Sequence, residues 1–238
     1  MVPRVHRHGP ANGKWLNALE AKSTRTEMKI SGGIKEDGIV VGNAYDKYGS
    51  RNPIVRWIMS GFNESLSELV ARTTPKTIHE IGCGEGYWVL RWNRQGMTAC
   101  GSDFSSQVIE IARENAVEDG LSPDVFAQAS IYDVEPDRDR ADLIVCCEVL
   151  EHLECPEEGL RALQRSVEKH VILSVPREPV WRALNILRGK YLPDMGNTPG
   201  HIQHWGRPDF VKLVSKYFDI VEVKTPLPWT MVLGRVKE

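Results

Sequence analysis

Short apolar runs alternate with helical patterns along most of the chain. Each run ends at a small or acidic residue, and most lead into a segment whose apolar residues recur every three or four positions. This alternation is typical of parallel β-α-β units, whose ligand sites lie at the carboxyl ends of the strands. The predicted strands are residues 77–81, 98–102, 124–127, 142–147 and 170–175.

Amphipathic spacing predicts helices between these strands. The first begins near Ile54 and runs to about Arg72, and Ser105 is a suitable N-cap for a later helix. The other predicted helices are residues 87–94, 105–119, 156–168, 180–188 and 207–218. Two last apolar runs, 220–225 and 230–236, are separated by a short proline-containing turn, so we expect them to pair antiparallel.

The chain is predicted to form one domain preceded by an extension. Residues 1–42 show little periodicity and contain glycine-rich breaks, which predicts a poorly ordered N-terminal extension. Residues 43–238 form the predicted domain, in which residues 177–205 are a lid insertion. Within it, residues 181–192 combine apolar and basic side chains, a pattern typical of a lid helix or of a helix that contacts a membrane surface.

Composition and charge exclude several classes of protein. Hydrophobic residues make up 41% and charged residues 26%, which is globular composition. A formal net charge of -2 gives no field that attracts polyanions, so no nucleic-acid partner is predicted. The five cysteines lack the spacing of a zinc site or a disulfide scaffold, and we predict no metal site. No apolar run has the length of a membrane span or of an export signal, which predicts a cytoplasmic protein.

The most informative stretch is the glycine loop, residues 80–86 (EIGCGEG), directly after the first predicted strand. Glycines allow a tight turn from strand to helix and leave room for a ligand against backbone N–H groups. The dinucleotide fingerprint would place a third small residue at position 87, where this chain has Tyr87. A second acid, Asp103, ends the next strand, where a carboxylate can accept hydrogen bonds from ribose hydroxyls.

Three segments in this order carry a family resemblance: EIGCGEG, the GSD that ends at Asp103, and DLIVCCEVLEHL at residues 142–153. The chain resembles the class I S-adenosylmethionine-dependent methyltransferases, of the methyltransferase type 11 and ubiquinone-methyltransferase-like kind, over about residues 50–236. The resemblance implies an α/β fold, a Rossmann-like three-layer sandwich around a seven-stranded, mostly parallel sheet with an antiparallel last strand. It also implies S-adenosylmethionine as the cofactor.

The resemblance further implies which residues hold that cofactor. Asp103 corresponds to the acid that binds the ribose, and Phe104 to the residue beside the adenine. The implied cofactor-binding residues are Glu80, Gly82, Cys83, Gly84, Gly86, Asp103, Phe104, Ser130, Ile131, Cys147 and Glu148.

Acceptor contacts are implied in the first helix region and in the lid insertion. The candidate acceptor-binding residues are Tyr45, Tyr48, Asn52, His152 and Trp205. Histidine titrates near neutral pH, so His201 and His204 are candidates for a catalytic general base, with a packing or surface role as the alternative.

The activity implied by the resemblance is methyl transfer to a small-molecule or lipid-like acceptor. The segment Cys146-Cys147-Glu148-Val149 replaces the Asn/Asp-Pro-Pro-aromatic motif of DNA amino-methylating enzymes, and the Pro-Cys nucleophile of cytosine-C5 methylation is absent. Two alternatives remain open: a nucleotide-dependent oxidoreductase on the same kind of sheet, and a non-catalytic cofactor-binding protein.

Overall fold

The computed structural model of the protein describes residues 28–36, 39–43 and 45–237. Residues 1–27 of the predicted extension lie outside this part. The strands are β1 (Lys35–Glu36), β2 (Ile39–Val40), β3 (Thr77–Ile81), β4 (Thr98–Asp103), β5 (Phe126–Gln128), β6 (Ala141–Cys147), β7 (Val167–Pro176), β8 (Phe218–Lys224) and β9 (Trp229–Val236). The α-helices are α1 (Pro53–Thr73), α2 (Tyr87–Arg94), α3 (Ser106–Glu118), α4 (Pro136–Asp139), α5 (Pro156–Ser166), α6 (Val180–Leu187) and α7 (Arg207–Val214).

Seven of these strands form one sheet in the order β5-β4-β3-β6-β7-β9-β8. Strands β3 to β7 pair in parallel, whereas β9 runs antiparallel to both β7 and β8. The predicted seven-stranded, mostly parallel sheet with an antiparallel last strand is therefore confirmed. From β3 the chain builds the sheet first toward β4 and β5 on one side and then toward β6 and β7 on the other. At such a change of direction, α/β sheets open a crevice for ligands, here at the carboxyl ends of β3, β4 and β6.

The core lies on both faces of the sheet. On one face, apolar side chains of α1, α2 and α3 pack against the strands, and Leu66, Trp92 and Ile109 are among the fully buried ones. On the other face, α5 and α7 contribute Leu160 and Phe210. Because helices cover both faces, the strands are buried on both sides and form the middle layer of the predicted three-layer sandwich.

Several element boundaries differ from the sequence prediction. Residues 123–125 form a 3-10 turn, so β5 begins only at Phe126. Helix α7 ends at Val214 rather than at Phe218, because Phe218 is fully buried and opens β8. Strand β7 begins at Val167 and is longer than predicted, since the chain passes directly from α5 into the sheet.

The described part of the predicted extension packs on the domain, which differs from the expectation of a poorly ordered arm. Residues 28–43 include the hairpin of β1 and β2, and Ser31 and Val41 are buried. The Lys29 backbone exchanges hydrogen bonds with the Asn115 side chain of α3, at 2.9 and 3.0 Å. This segment packs through polar side chains and backbone groups. Its apolar residues therefore do not recur at helical or strand spacing, and the sequence shows little periodicity.

The lid insertion, residues 177–205, carries α6 and is held by its own polar contacts. Trp181 Nε1 donates to Thr198 Oγ1 at 2.9 Å, and the buried Asn185 amide donates to the Gly196 carbonyl at 2.8 Å. Apolar side chains at its outer end, such as Leu187 and Met195, are exposed by 81% and 73%. In the part of the chain that the structure describes, no helix has both the length and the apolar character needed to cross a membrane.

Candidate functional site

The glycine loop turns the chain sharply from β3 into α2. Gly82, Gly84 and Gly86 have φ angles of +78°, +53° and +87°, which side-chain-bearing residues rarely adopt. A Cβ at Gly86 would lie 2.3 Å from Cζ of Phe126, whereas a Cβ at Gly84 would meet nothing within 4 Å. The loop is therefore packed at Gly86 and open at Gly84, where a ligand can approach the backbone.

Asp103 lies beside this open part of the loop, at the carboxyl end of β4. Its Oδ2 accepts a hydrogen bond from Gly84 N at 3.1 Å, and its Oδ1 accepts one from Ser105 N at 3.1 Å. Burial raises the pKa of Asp103, and the two backbone hydrogen bonds oppose this shift. The neighbouring Phe104 ring is exposed, as expected for a residue that can flank a planar ligand. Ser130 caps the 3-10 turn at Ile131, so these two predicted residues line the next strand end.

Two predicted cofactor residues are carboxyls at the ends of β3 and β6, of which Glu80 is buried and Glu148 is partly buried. The Glu80 side chain is buried, and its Oε2 has no hydrogen-bond partner among the described residues. Glu148, at φ +60°, accepts hydrogen bonds from Ser174 Oγ at 2.9 Å and from Trp229 Nε1 at 2.6 Å. Burial raises the pKa of Glu80, and it raises the pKa of Glu148 to about 7; the charge of Lys47 opposes both shifts.

The predicted cysteines at the site are not suited to nucleophilic chemistry. Cys83 is buried and its Sγ contacts the Gly84 carbonyl at 3.5 Å. Burial raises the pKa of the Cys83 and Cys147 thiols well above the usual range. A thiol with a raised pKa holds its proton, so both act as small apolar side chains.

A second group of polar side chains lies where residues 150–152 contact the predicted lid insertion. Residues 150–152 form a 3-10 turn after β6, and the Glu151 carbonyl accepts hydrogen bonds from Ile202 N and Gln203 N of the lid. The His152 and His201 rings meet edge to face with centroids 4.9 Å apart. Trp181 stacks on His201 with centroids 5.7 Å apart. The structure therefore joins the predicted residues His152 and His201 with Glu151.

Burial lowers the pKa of His201 to about 3. A base is most effective when its pKa lies near the working pH, so His201 is a weak general base. His204, the other candidate, is exposed, and its Nε2 lies 2.7 Å from Asn197 Oδ1 within the lid. The geometry therefore separates the two candidates, with His201 inside the buried group and His204 at the surface.

Two of the predicted acceptor residues have structural partners, and a third is exposed. The Asn52 side chain is the N-cap of α1, where its Oδ1 accepts hydrogen bonds from the backbone of Ile54 and Val55. Trp205 packs against Phe210 of α7, with ring centroids 5.8 Å apart. Tyr45 is exposed.

Tyr48 lies at a groove between residues 28–48 and α2. Its ring stacks on Tyr87, with centroids 3.6 Å apart and an interplanar angle of 5°. The groove is lined by Met28, Ile30, Asn43, Asp46, Lys47, Tyr48, Tyr87 and Arg94. Burial, and after it the charges of Glu80, Tyr87 and Cys147, raise the pKa of Tyr48, so this groove adjoins the crevice.

Sequence reasoning missed two charged residues at the site. Glu85, inside the glycine loop, is buried and accepts hydrogen bonds from Ser31 N at 3.0 Å and Asn43 N at 2.7 Å. Lys47 provides the positive charge that opposes the raised pKa of several buried carboxyls. An acid between two glycines was a visible signal for Glu85, whereas no local pattern marked Lys47.

Comparison with known proteins identifies the fold and the family. A family model described as "Methyltransferase domain" matches residues 57–222. The chain is 29% identical over 101 residues to a ubiquinone biosynthesis O-methyltransferase of Serratia proteamaculans (strain 568), covering 42% of each chain. The chain thus spans less than half the length of this curated relative.

Two solved structures illustrate the likeness in fold. A magnesium protoporphyrin IX methyltransferase from Synechocystis PCC 6803 with bound SAH (S-adenosylhomocysteine) aligns with a TM-score of 0.60 and 17% identity, over 82% of this chain and 94% of that one. A small RNA methyltransferase aligns with a TM-score of 0.57 and 18% identity, over 73% of this chain and 25% of that one. With the glycine loop, the acid after β4 and the strand order, these matches show that the chain belongs to the class I S-adenosylmethionine-dependent methyltransferases.

Proposed function

We propose that this protein transfers a methyl group from S-adenosylmethionine to a small-molecule or lipid-like acceptor. The observation that carries the proposal is the crevice in which the open face of Gly84 meets the carboxylate of Asp103. The unpartnered Oε2 of Glu80 also fits a polar ligand, because a buried oxygen without a hydrogen bond is costly unless a ligand supplies one. When bound, the cofactor supplies a methyl group that is already activated by a positively charged sulfur.

Each set of residues has its own task in this proposal. Gly84 leaves space for the cofactor, Gly82 packs closely against Val149, and Asp103 accepts hydrogen bonds from the ribose hydroxyls of the cofactor. Phe104, Ser130 and Ile131 line the adenine end, and Cys147 and Glu148 line the other end of the crevice. The protein then acts chiefly by holding the acceptor in line and excluding water, since positioning alone removes much of the barrier. We place the acceptor beside the predicted lid insertion, whose Trp181 packs near Trp229, the partner of Glu148, with His152 as a candidate acceptor contact and His201 as a candidate base.

The named relatives support a small molecule as the acceptor. One is named for ubiquinone biosynthesis and another for a magnesium porphyrin. The small RNA methyltransferase keeps RNA among the acceptors to be tested, although a net charge of -2 gives little attraction for a polyanion.

Titration calorimetry tests the cofactor directly. The protein is titrated separately with S-adenosylmethionine, S-adenosylhomocysteine and NAD. We expect 1:1 binding of the two sulfur compounds and no binding of NAD, followed by methyl transfer in a screen of quinols, porphyrins and short RNAs. Binding of NAD alone would favour the oxidoreductase alternative, and cofactor binding without turnover on any acceptor would favour the non-catalytic one.

We also propose that the outer end of the lid contacts an anionic lipid surface, where a lipid-like acceptor would be found. Arg188 and Lys190 lie among exposed apolar side chains that include Leu187 and Met195. Apolar groups that enter a headgroup layer, next to basic groups that contact anionic lipids, are typical of interfacial helices. Cosedimentation with phosphatidylserine vesicles should be reduced several-fold by Leu187→Asp and should be unaffected by Val117→Asp, a change at an exposed apolar residue of α3. Equal binding of both variants would rule this surface out.

A further inference from the structure

A buried histidine joins three elements beside the cofactor crevice. His79 lies in the middle of β3, and its side chain is buried. Its Nδ1 lies 3.1 Å from the backbone carbonyl oxygen of Asp139 in α4, and its Nε2 lies 3.0 Å from the hydroxyl oxygen of Ser102 in β4. Both ring nitrogens are therefore hydrogen-bonded, and each bond leads to a different element.

The partners of the His79 ring determine its tautomer. A carbonyl oxygen can only accept, so Nδ1 carries the proton and donates to Asp139. Nε2 is left with a lone pair, and the Ser102 hydroxyl donates to it. Burial lowers the pKa of His79, whereas the hydrogen bond and the charge of Asp139 oppose this shift. A neutral imidazole therefore holds the Ser102 hydroxyl in one orientation.

Ser102 connects this ring to the glycine loop. Its backbone carbonyl accepts hydrogen bonds from Gly82 N at 2.7 Å and from Cys83 N at 3.0 Å. The next residue of β4 is Asp103, whose Oδ2 accepts a hydrogen bond from Gly84 N at 3.1 Å. The position of Ser102 thus affects both the start of the loop and the placement of the Asp103 carboxylate.

A polar pair is unusual at this place in the sheet. Ile144, the neighbour of His79 in β6, and Ile81, two residues along β3, both belong to the apolar cluster on this face. Two apolar side chains of the same shape can replace a hydrogen-bonded pair at little cost in stability. Apolar contacts have no direction, whereas a hydrogen bond requires a defined distance and angle between its two groups. The pair therefore fixes how β4 lies against β3.

We propose that His79 is a positioning residue for cofactor binding, which acts through Ser102. The ring is buried in the sheet and acts on the crevice only through β4. Its hydrogen bond to Ser102 holds the strand end that carries Asp103 and anchors the glycine loop, and its hydrogen bond to Asp139 contributes to stability alone. This inference rests on the cofactor crevice of the proposed function.

Two substitutions separate the two hydrogen bonds. In His79→Gln the side-chain amide reaches the place of Nε2, and its oxygen can accept from Ser102. In His79→Asn the amide lies near the place of Nδ1, and its nitrogen can donate to Asp139. Each variant loses one hydrogen bond, so we expect similar decreases in melting temperature. Calorimetry should show S-adenosylhomocysteine binding close to the wild type in His79→Gln and about 10-fold weaker in His79→Asn, since one neutral hydrogen bond corresponds to about a factor of ten in an equilibrium constant.

Ser102→Ala tests the same hydrogen bond from its other partner. It leaves the contact between His79 and Asp139 in place, so it should bind S-adenosylhomocysteine as weakly as His79→Asn does. Because both changes remove one interaction, the double variant should bind no more weakly than either single variant. His170→Gln is the matched control: it changes a half-buried histidine of β7, two strands away from β3, and should bind as the wild type does.

A purely structural role predicts that affinity follows melting temperature in all of these variants. Equal affinity in His79→Asn and His79→Gln, or a loss of the same size in His170→Gln, would overturn the inference. A wild-type protein that bound no S-adenosylhomocysteine would refute the proposed function and this inference with it. Tight binding by the wild type and by both His79 variants would refute the positioning role alone.

Discussion

Replacing Asp103 with alanine should weaken the binding of S-adenosylmethionine about 100-fold. A carboxylate at this strand end can accept two hydrogen bonds from ribose hydroxyls, and hydrogen bonds to charged groups contribute about 1.5–3 kcal/mol each. Loss of about 3 kcal/mol corresponds to about two powers of ten in Kd. Isothermal titration calorimetry with the cofactor and with S-adenosylhomocysteine measures the change.

Two variants make this result specific. Asp103→Asn keeps the side-chain size and one acceptor oxygen, so it should lose less affinity than the alanine variant. Asp124→Ala removes an exposed carboxylate just before β5 and should leave Kd unchanged. If Asp103→Ala bound the cofactor as tightly as the wild type, the ribose would have to lie elsewhere and the assignment of the crevice would be wrong.

Replacing Glu85 with alanine should lower the free energy of unfolding by about 3 kcal/mol. The carboxylate accepts hydrogen bonds from the backbone N–H groups of Ser31 and Asn43 and from the Asn43 side-chain amide. Its removal leaves these donors without partners in a buried place, at about 1–3 kcal/mol for each such group. For a domain of this size, the loss corresponds to a melting temperature lower by about 6–12 °C. Urea denaturation and thermal melting measure both quantities.

Glu114→Ala is the matched control for this effect. Glu114 also contacts the N-terminal segment, through an ion pair of 2.8 Å with Lys29, but its side chain is 59% exposed. Exposed ion pairs contribute about 0–1 kcal/mol, so this variant should melt close to the wild type. Limited proteolysis should also cleave residues 28–43 faster in Glu85→Ala alone. Similar stability losses in the two variants would mean that the segment is held by its surface contacts rather than by Glu85.

The sheet and the glycine loop were predictable because local patterns determine them. Buried parallel strands require continuous apolar runs, and a sharp turn before a helix requires glycine at positive φ, so both leave a mark over a few adjacent residues. The sequence 77–86 and Asp103 therefore predicted where the crevice lies. The seven-stranded, mostly parallel sheet was expected from the family resemblance that three such segments carry, whereas the strand order was not predicted.

The remaining features depend on contacts between residues that are far apart in sequence. No local pattern relates Glu151 to His201, and only the path of the lid brings them together. Asn52 is a predicted acceptor contact, and in the structure its side chain caps α1. Helix N-caps and binding sites favour the same polar side chains, so the sequence alone does not distinguish the two roles. The packing of residues 28–43 was missed because polar and backbone hydrogen bonds leave no periodic signal.

The attachment of residues 28–43 to Glu85 has a thermodynamic consequence. Glu85 lies between Gly84, where the loop is open to a ligand, and Gly86, and Glu36 of the same segment accepts hydrogen bonds from Ser105 and Ser106 beside Asp103. The segment therefore docks on residues that are direct neighbours of Gly84 and Asp103. Linkage requires that any coupling between them be reciprocal: if the docked segment tightens ligand binding, the ligand must stabilise the docked segment by the same free energy. Such coupling would make the segment at residues 28–43 an internal effector of the crevice.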